Sequence, residues 1–268
     1  MNELRVLVTN DDGVESVGLH ALAEVAVDAG CDVIVAAPHT ERSGTSASLT
    51  VLKEDGRLMT RDYPPPAGLD GVPMLGVEAT PAFIVMVAAE GAFGPPPDLV
   101  LSGINKGPNT GYAILHSGTV GAALTASTHD TRSLAVSLIG SAPTHFDTAA
   151  QVARRALAWL VEHPEEEGLV LNVNVPDIPA GRLRGLRRAE LSHFGAVEGR
   201  VGEKGQGYVT ITFSELHPEA EPGTDLALLS EGWATVTPLR APCHASDHAA
   251  PEWAAQGQEA VTSGGERS

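Results

Sequence analysis

The sequence predicts an α/β protein: a Rossmann-like, three-layer core with a parallel sheet, followed by a C-terminal β-hairpin extension. Three observations predict it. Strand-like and helix-like segments alternate from residue 4 to residue 175. The first three form a strand–helix–strand unit within about 35 residues, which requires a parallel pair and a right-handed crossover. Hydrophobic residues make up 43% of the chain but aromatics only 4%, so the core is built from Val, Leu, Ile and Ala.

Each element has a local reason. Residues 4–9 (LRVLVT) read as a short buried strand, broken by the turn chemistry of Asn10, Asp11, Asp12 and Gly13. Over residues 14–29, Leu22, Val25, Ala26 and Ala29 recur at helical spacing, and Gly30 supplies the stop. Residues 31–37 (CDVIVAA) form a second strand, with Cys31 read as a buried thiol and Pro38 as the end. A polar loop covers residues 39–48, and short strands are expected over 49–52 and 57–61. Thr80 as N-cap, Pro81 at the first position and Gly91 as stop define a helix whose apolar interior predicts burial. Residues 98–102 (DLVLS) are a strand, 118–127 a small-residue helix and 133–139 (SLAVSLI) another strand. Phe146, Ala150, Ala153, Leu157 and Leu160 mark an amphipathic helix, and 169–175 (LVLNVNV) a strand stopped by Pro176.

Beyond Pro179 the character changes. Arg182, Arg184, Arg187, Arg188 and Arg200 concentrate positive charge in an acidic chain, while residues 208–213 and 233–239 alternate like exposed ribbons. The division expected is a catalytic core over 1–180, a hairpin extension returning to the core over 181–240, and a mobile tail over 241–268. Isolated ribbons are marginal alone, so the extension is expected to join subunits and cover Phe213 and Trp233.

The formal net charge is −17, which repels phosphate backbones and argues against a polymeric nucleic-acid partner. Any anion must be handled by a local device. The two cysteines, Cys31 and Cys243, lack the spacing of a zinc site or disulfide framework. The N-terminus lacks the pattern of a signal peptide, and the longest apolar run, 82–89, is too short to span a bilayer. A cytoplasmic protein without a membrane partner is expected.

In parallel sheets, ligands bind where strands end and helices begin. Four polar clusters fall at such places: Asp11–Asp12, Ser43–Gly44, the Ser102–Asn105 stretch, and Ser117–Gly118–Thr119. Two adjacent carboxylates suit Mg²⁺ or Mn²⁺, and Ser43 and Asn105 can complete an all-oxygen set. The same Asp11–Asp12–Gly13 run also suits a turn with a helix cap. Ser117, Gly118 and Thr119 open a helix whose free N–H groups attract an anion. His116, beside them, is the best candidate for general acid work, though a lone histidine is more often structural. Lys106 can offset phosphate charge or be simply solvated. No Gly-x-Ser-x-Gly elbow is present.

In order and spacing these blocks resemble the survival protein SurE family. The resemblance rests on Val8-Thr9-Asn10-Asp11-Asp12-Gly13, Arg42-Ser43-Gly44 with Ser48-Leu49-Thr50, and the run from Asp98 through Ser102-Gly103-Ile104-Asn105 to Asn109. It continues through Ser117-Gly118-Thr119-Val120, Thr224-Asp225 and Val236-Thr237-Pro238-Leu239. It implies a metal-dependent phosphatase of nucleoside 5′- and 3′-monophosphates, forming dimers or tetramers by hairpin exchange. It implies one divalent cation on Asp11, Asp12, Ser43 and Asn105, with Asp11 or Asp12 catalytic, by activating water or by direct attack. It implies phosphate contacts at Asn10, Gly44, Ser117, Gly118 and Thr119. Departures are Phe83 for an acidic residue, His116 for a frequent Tyr, and His39 and Glu41 for the more usual Asp and Asn. Two rivals are a non-catalytic metal- or nucleotide-binding module of the same fold and a haloacid-dehalogenase-type phosphatase. The latter prefers two Asp separated by one residue, whereas here they are adjacent.

Overall fold

The computed structural model describes residues 3–51, 53–54, 56–140, 142–193, 197–205, 207–215 and 221–241. In chain order the elements are β1 (Arg5–Thr9), α1 (Val17–Asp28), β2 (Asp32–Pro38), β3 (Lys53–Glu54), β4 (Arg57–Leu58), β5 (Thr60–Asp62), β6 (Met74–Val77), α2 (Pro81–Ala89) and β7 (Leu99–Lys106). They continue with α3 (Gly118–Ser127), β8 (Arg132–Ile139), α4 (Phe146–Glu162), β9 (Val170–Pro176), β10 (Leu186–Arg188), β11 (Val197–Gly205), β12 (Tyr208–Glu215), α5 (Asp225–Ser230) and β13 (Ala234–Leu239).

Among the described residues one nine-stranded sheet runs β10-β13-β9-β8-β7-β1-β2-β6-β5. The six strands from β9 to β6 are mutually parallel. Strand alternation sorts the side chains onto two faces. Val6, Val8, Leu99 and Leu101 pack in the core that includes α1 and α4 residues, while Leu7 and Val100 pack with Ile84 and Val85 of α2. With both faces covered, the inner strands are apolar throughout rather than alternating. The chain winds outward from β1 in both directions, so the switch point lies between β1 and β7.

Capping positions the helices. Asn10 donates to Ser16 Oγ at 2.7 Å, and that oxygen accepts from Leu19 N, tying the end of β1 to the start of α1. Ser117 Oγ accepts from Val120 N at the start of α3. For α4 the cap comes from elsewhere: Asp177 Oδ1 accepts from the Thr144 and His145 amides and from His145 Nδ1. Burial alone would raise the Asp177 carboxyl, but these donors hold it below the usual carboxylate range.

Several expectations need correction. Residues 234–239 are not an exposed ribbon: β13 lies inside the main sheet, antiparallel to β9 and parallel to β10. Its threonines mislead, since Thr235 and Thr237 are buried. Within the chain, Trp233 already has cover, since the guanidinium carbons of Arg184 and Arg187 lie 4.8 and 4.4 Å from its ring centroid. In residues 49–52 the described pairing is a single bridge from Val51 to Ala79, and β5 and β6 form the far edge of the sheet. Thr80 makes no side-chain cap; its hydroxyl donates to the Ser48 and Thr50 carbonyls and ties down the preceding loop. Cys31 is half-buried, and burial pushes its thiol up. β11 and β12 pair as a separate two-stranded ribbon. The side chain of Phe213 and the tail from residue 242 lie outside the described residues.

Candidate active site

The crevice sits at the carboxyl ends of the strands beside the switch point. It is a hollow of about 280 Å³ lined by residues that include Asp11, Ser43, Gly44, Asn105, Lys106, Asn109, His116 and Ser117. Larger hollows of about 590 and 510 Å³ lie around Arg188 and Pro238, away from these carboxylates. We take the smaller one as the site because the acidic pair and the start of α3 meet there.

Asp11 follows β1 and is 4% exposed. Thr119 Oγ1 donates to its Oδ1 at 2.5 Å, and the Thr119 amide also bonds the carboxylate. The first turn of α3 is therefore aimed at Asp11. Gly118 permits this approach: a Cβ there would stand 2.7 Å from Asp11 Oδ2. Burial pushes the Asp11 carboxyl up despite these donors, and no cationic side chain pairs with it among the described residues. Asp12 is more open. Burial first, then the charge of Asp11, push its carboxyl up to about 6. The Lys106 amide donates to Asp12 Oδ2 at 3.3 Å, and both that bond and the Lys106 charge act in the other direction.

β7 runs past its expected end at Ser102 and carries Asn105 to the crevice. Its register with β8 slips between Ser102 and Asn105. Gly103, at φ +129°, allows the slip, since a Cβ there would meet Val136 O at 2.3 Å. Asn105 Nδ2 donates to Gly107 O at 3.1 Å, which leaves its Oδ1 as a free acceptor. Ser43, in the loop after β2, donates to Glu41 Oε1 at 2.7 Å, so its oxygen lone pairs remain available. Glu41 also raises the carboxyls of both Asp11 and Asp12.

The structure thus brings Asp11, Ser43, Gly44, Asn105 and Ser117 to one crevice, with Asp12 at Lys106 on its rim. Gly118 and Thr119 stand behind Asp11 instead of lining the hollow. Asn10 is not brought to it: the side chain is fully buried and spans Gly13 and Ser16. Two supports escaped the residue-by-residue reading. Asn109 anchors the loop after β7, with its amides and carbonyl bonded to Asn172, Asn174 and Ser137. Asp225 is wholly buried and accepts from Gly111 N at 2.7 Å and Ser192 N at 3.1 Å. The Thr224-Asp225 pair was a visible signal, but its long-range partners were not.

Oxygen-only donors and excess negative charge fit a hard divalent ion. Among the described residues no group of three or more His, Cys, Asp and Glu is placed to hold one, so the neutral Ser43 and Asn105 oxygens must complete the set. No helix among those residues is long and apolar enough to cross a membrane.

Fold and crevice define the class: a doubly wound α/β protein with an acidic, amide- and hydroxyl-lined crevice at its switch point. The family model "Survival protein SurE" matches residues 6–196, and the chain belongs to the SurE family. A relative from Aeromonas hydrophila, named 5′-nucleotidase SurE, is 38% identical over 88% of this chain and 92% of its own length. A relative from Shigella dysenteriae, named 5′/3′-nucleotidase SurE, is 37% identical over 93% and 96%. The crystal structure of the SurE protein from Aquifex aeolicus superposes with a TM-score of 0.72 at 31% identity, covering 88% of this chain and 93% of that one. The haloacid-dehalogenase alternative falls with this assignment.

Proposed function

We propose that the chain is a phosphomonoesterase that hydrolyses nucleoside 5′- and 3′-monophosphates, with one Mg²⁺ or Mn²⁺ on Asp11, Asp12, Ser43 and Asn105. The observation that carries this reading is the convergence of Asp11, Ser43 and Asn105 in one crevice, with Asp12 on its rim and the charge of the pair only partly offset by Lys106. The names of the relatives support the substrate class.

The bound ion would supply charge stabilisation to the phosphoryl oxygens. The chain's own residues do the rest. Thr119 and the start of α3 immobilise Asp11, which favours a holding role and makes water the nucleophile rather than this carboxylate. Gly44 and Ser117 face the crevice and orient the phosphate, with Gly118 allowing the close fit behind it. Lys106 offsets part of the negative charge. The small hollow suits one phosphate ester, and the acidic chain disfavours a polymer. The working form is a homodimer or homotetramer in the cytoplasm, in which residues 181–240 supply the joining hairpin β11–β12 and return β10 and β13 to the core sheet.

The test is phosphate release from a nucleoside monophosphate, before and after exhaustive chelation. Activity is expected to vanish with EDTA and return with Mn²⁺ or Mg²⁺. Full activity after chelation refutes the cation. No release from any monophosphate with either ion makes the chain a binding module of the same fold.

A further inference from the structure

We propose that His116 is the general acid of this chain, donating the proton taken up by the leaving nucleoside oxygen. This rests on the phosphomonoesterase reading above and adds the step it leaves unassigned. A nucleoside alkoxide is a strong base and leaves poorly unless it is protonated as the P–O bond breaks.

The lining of the crevice offers few donors. The Asn105 and Asn109 amides are far too weakly acidic to give up a proton, and the Ser43 and Ser117 hydroxyls are poor acids. Asp11 and Asp12 are committed to the cation. Lys106 serves as counter-charge to Asp12. His116 remains, and imidazole is the side-chain type that both holds and yields a proton near neutrality.

Its setting is that of a free acid on a fixed mount. His116 ends the 3-10 turn Gly111–His116, immediately before the N-cap Ser117. The turn is pinned by Asp225 on Gly111 N, by Ser192 O on Tyr112 N, and by Ser46 Oγ, which donates to Leu115 O at 2.6 Å. The His116 ring itself is exposed and makes no hydrogen bond, ion pair or ring contact with any described residue. Five of the other described histidines are committed: His20 to Val14 O, His39 to Tyr63, His145 to Asp177, His163 to Trp159 and His193 to Glu221, and His129 does not line the crevice.

The step balances. Water oxygen gives a lone pair to phosphorus, and one of its protons passes to a phosphoryl oxygen of the product. The P–O bond to the nucleoside breaks with its electron pair on oxygen, and that oxygen takes the proton from the protonated His116 ring. The neutral ring then recovers a proton from solvent. The products are an alcohol and inorganic phosphate, at the cost of one water.

The test uses leaving-group dependence in the full-length, Mn²⁺-loaded enzyme. Wild type and His116→Gln are compared on a nucleoside monophosphate and on p-nitrophenyl phosphate, whose phenolate needs no proton to leave. The expected result is a fall of about 10²-fold in the ratio of nucleotide to aryl-ester turnover. The rise in melting temperature on adding Mn²⁺ should be retained. Should His116→Gln misfold, His116→Asn provides the same comparison. An equal loss on both esters, or no loss on either, overturns the assignment. Wild type inactive on both esters instead refutes the phosphatase reading and this proposal with it.

Discussion

Gly118→Ala probes the contact on which the crevice depends. The backbone at Gly118 is helical, so alanine is allowed, and helix propensity would favour it by about 0.5–1 kcal/mol. Sterics oppose this. The added Cβ would lie 2.7 Å from Asp11 Oδ2, 2.9 Å from Asp11 Cβ and 3.1 Å from Asp11 Cγ. Asp11 cannot retreat easily, because Thr119 grips Oδ1 at 2.5 Å and the Asp11 carbonyl accepts from Arg42 N at 2.7 Å. Overpacking of this kind costs about 1–3 kcal/mol, so the net loss is about 1–2 kcal/mol. For a chain of this size that lowers the melting temperature by roughly 2–8 °C. The assay is thermal unfolding with and without saturating Mn²⁺, with Gly181→Ala as control, since nothing lies within 4 Å of a Cβ there. Gly118→Ala should lose both stability and the Mn²⁺-induced rise, while the control keeps both. A Gly118→Ala protein as stable as wild type, with its Mn²⁺ response intact, would refute the packing of α3 against Asp11.

Two further outcomes follow from the same geometry. Asp12→Asn should leave the metal-free protein as stable or more stable at pH 7 while abolishing the Mn²⁺ response. Burial and Asp11 raise the Asp12 carboxyl from 3.8 to about 6, so the folded state binds the extra proton and wild type loses stability as pH rises through that window. Thermal melts of both proteins from pH 4 to 7 check this, and a lower metal-free melting temperature for the variant would favour the turn-and-cap role. For the hairpin, replacing residues 194–220 with a short Gly linker should give a folded monomer, read by sedimentation. The splice is feasible because His193 and Glu221 approach to 3.5 Å. An unchanged oligomer would move the interface onto the α/β core. Removing all of residues 182–239 would instead strip β10 and β13 from the sheet and unfold the core.

What was legible in the sequence was local. The strand ending at Thr9 just before Asp11, the helix opening at Gly118 and the amphipathic stripe of Phe146, Ala153, Leu157 and Leu160 each follow from near neighbours. Met74–Val77 was missed because Pro73 and Gly76 break a short apolar run, and its pairing with β2 is non-local. β13 was misplaced because buried Thr235 and Thr237 imitate a solvated face. At the site, the four clusters could be gathered by the rule that strands end at ligands. The burial of Asn10 and the grip of Thr119 on Asp11 could not, because both depend on which side chains meet across more than one element. Asp225 is the plainest case: its partner Gly111 lies 114 residues away.

The place of β13 between β9 and β10 also sets an order of assembly. β10 pairs only with β13 among the described strands, so it has no seat when it first leaves the ribosome. Its slot forms about 45 residues later, a delay of a few seconds at ordinary translation rates. Gly111 likewise waits for Asp225 before its turn is anchored. A nascent chain paused just short of α5 would carry every residue proposed to bind the cation yet lack both Asp225 and β13, so competence arrives with the last stretch of the sheet.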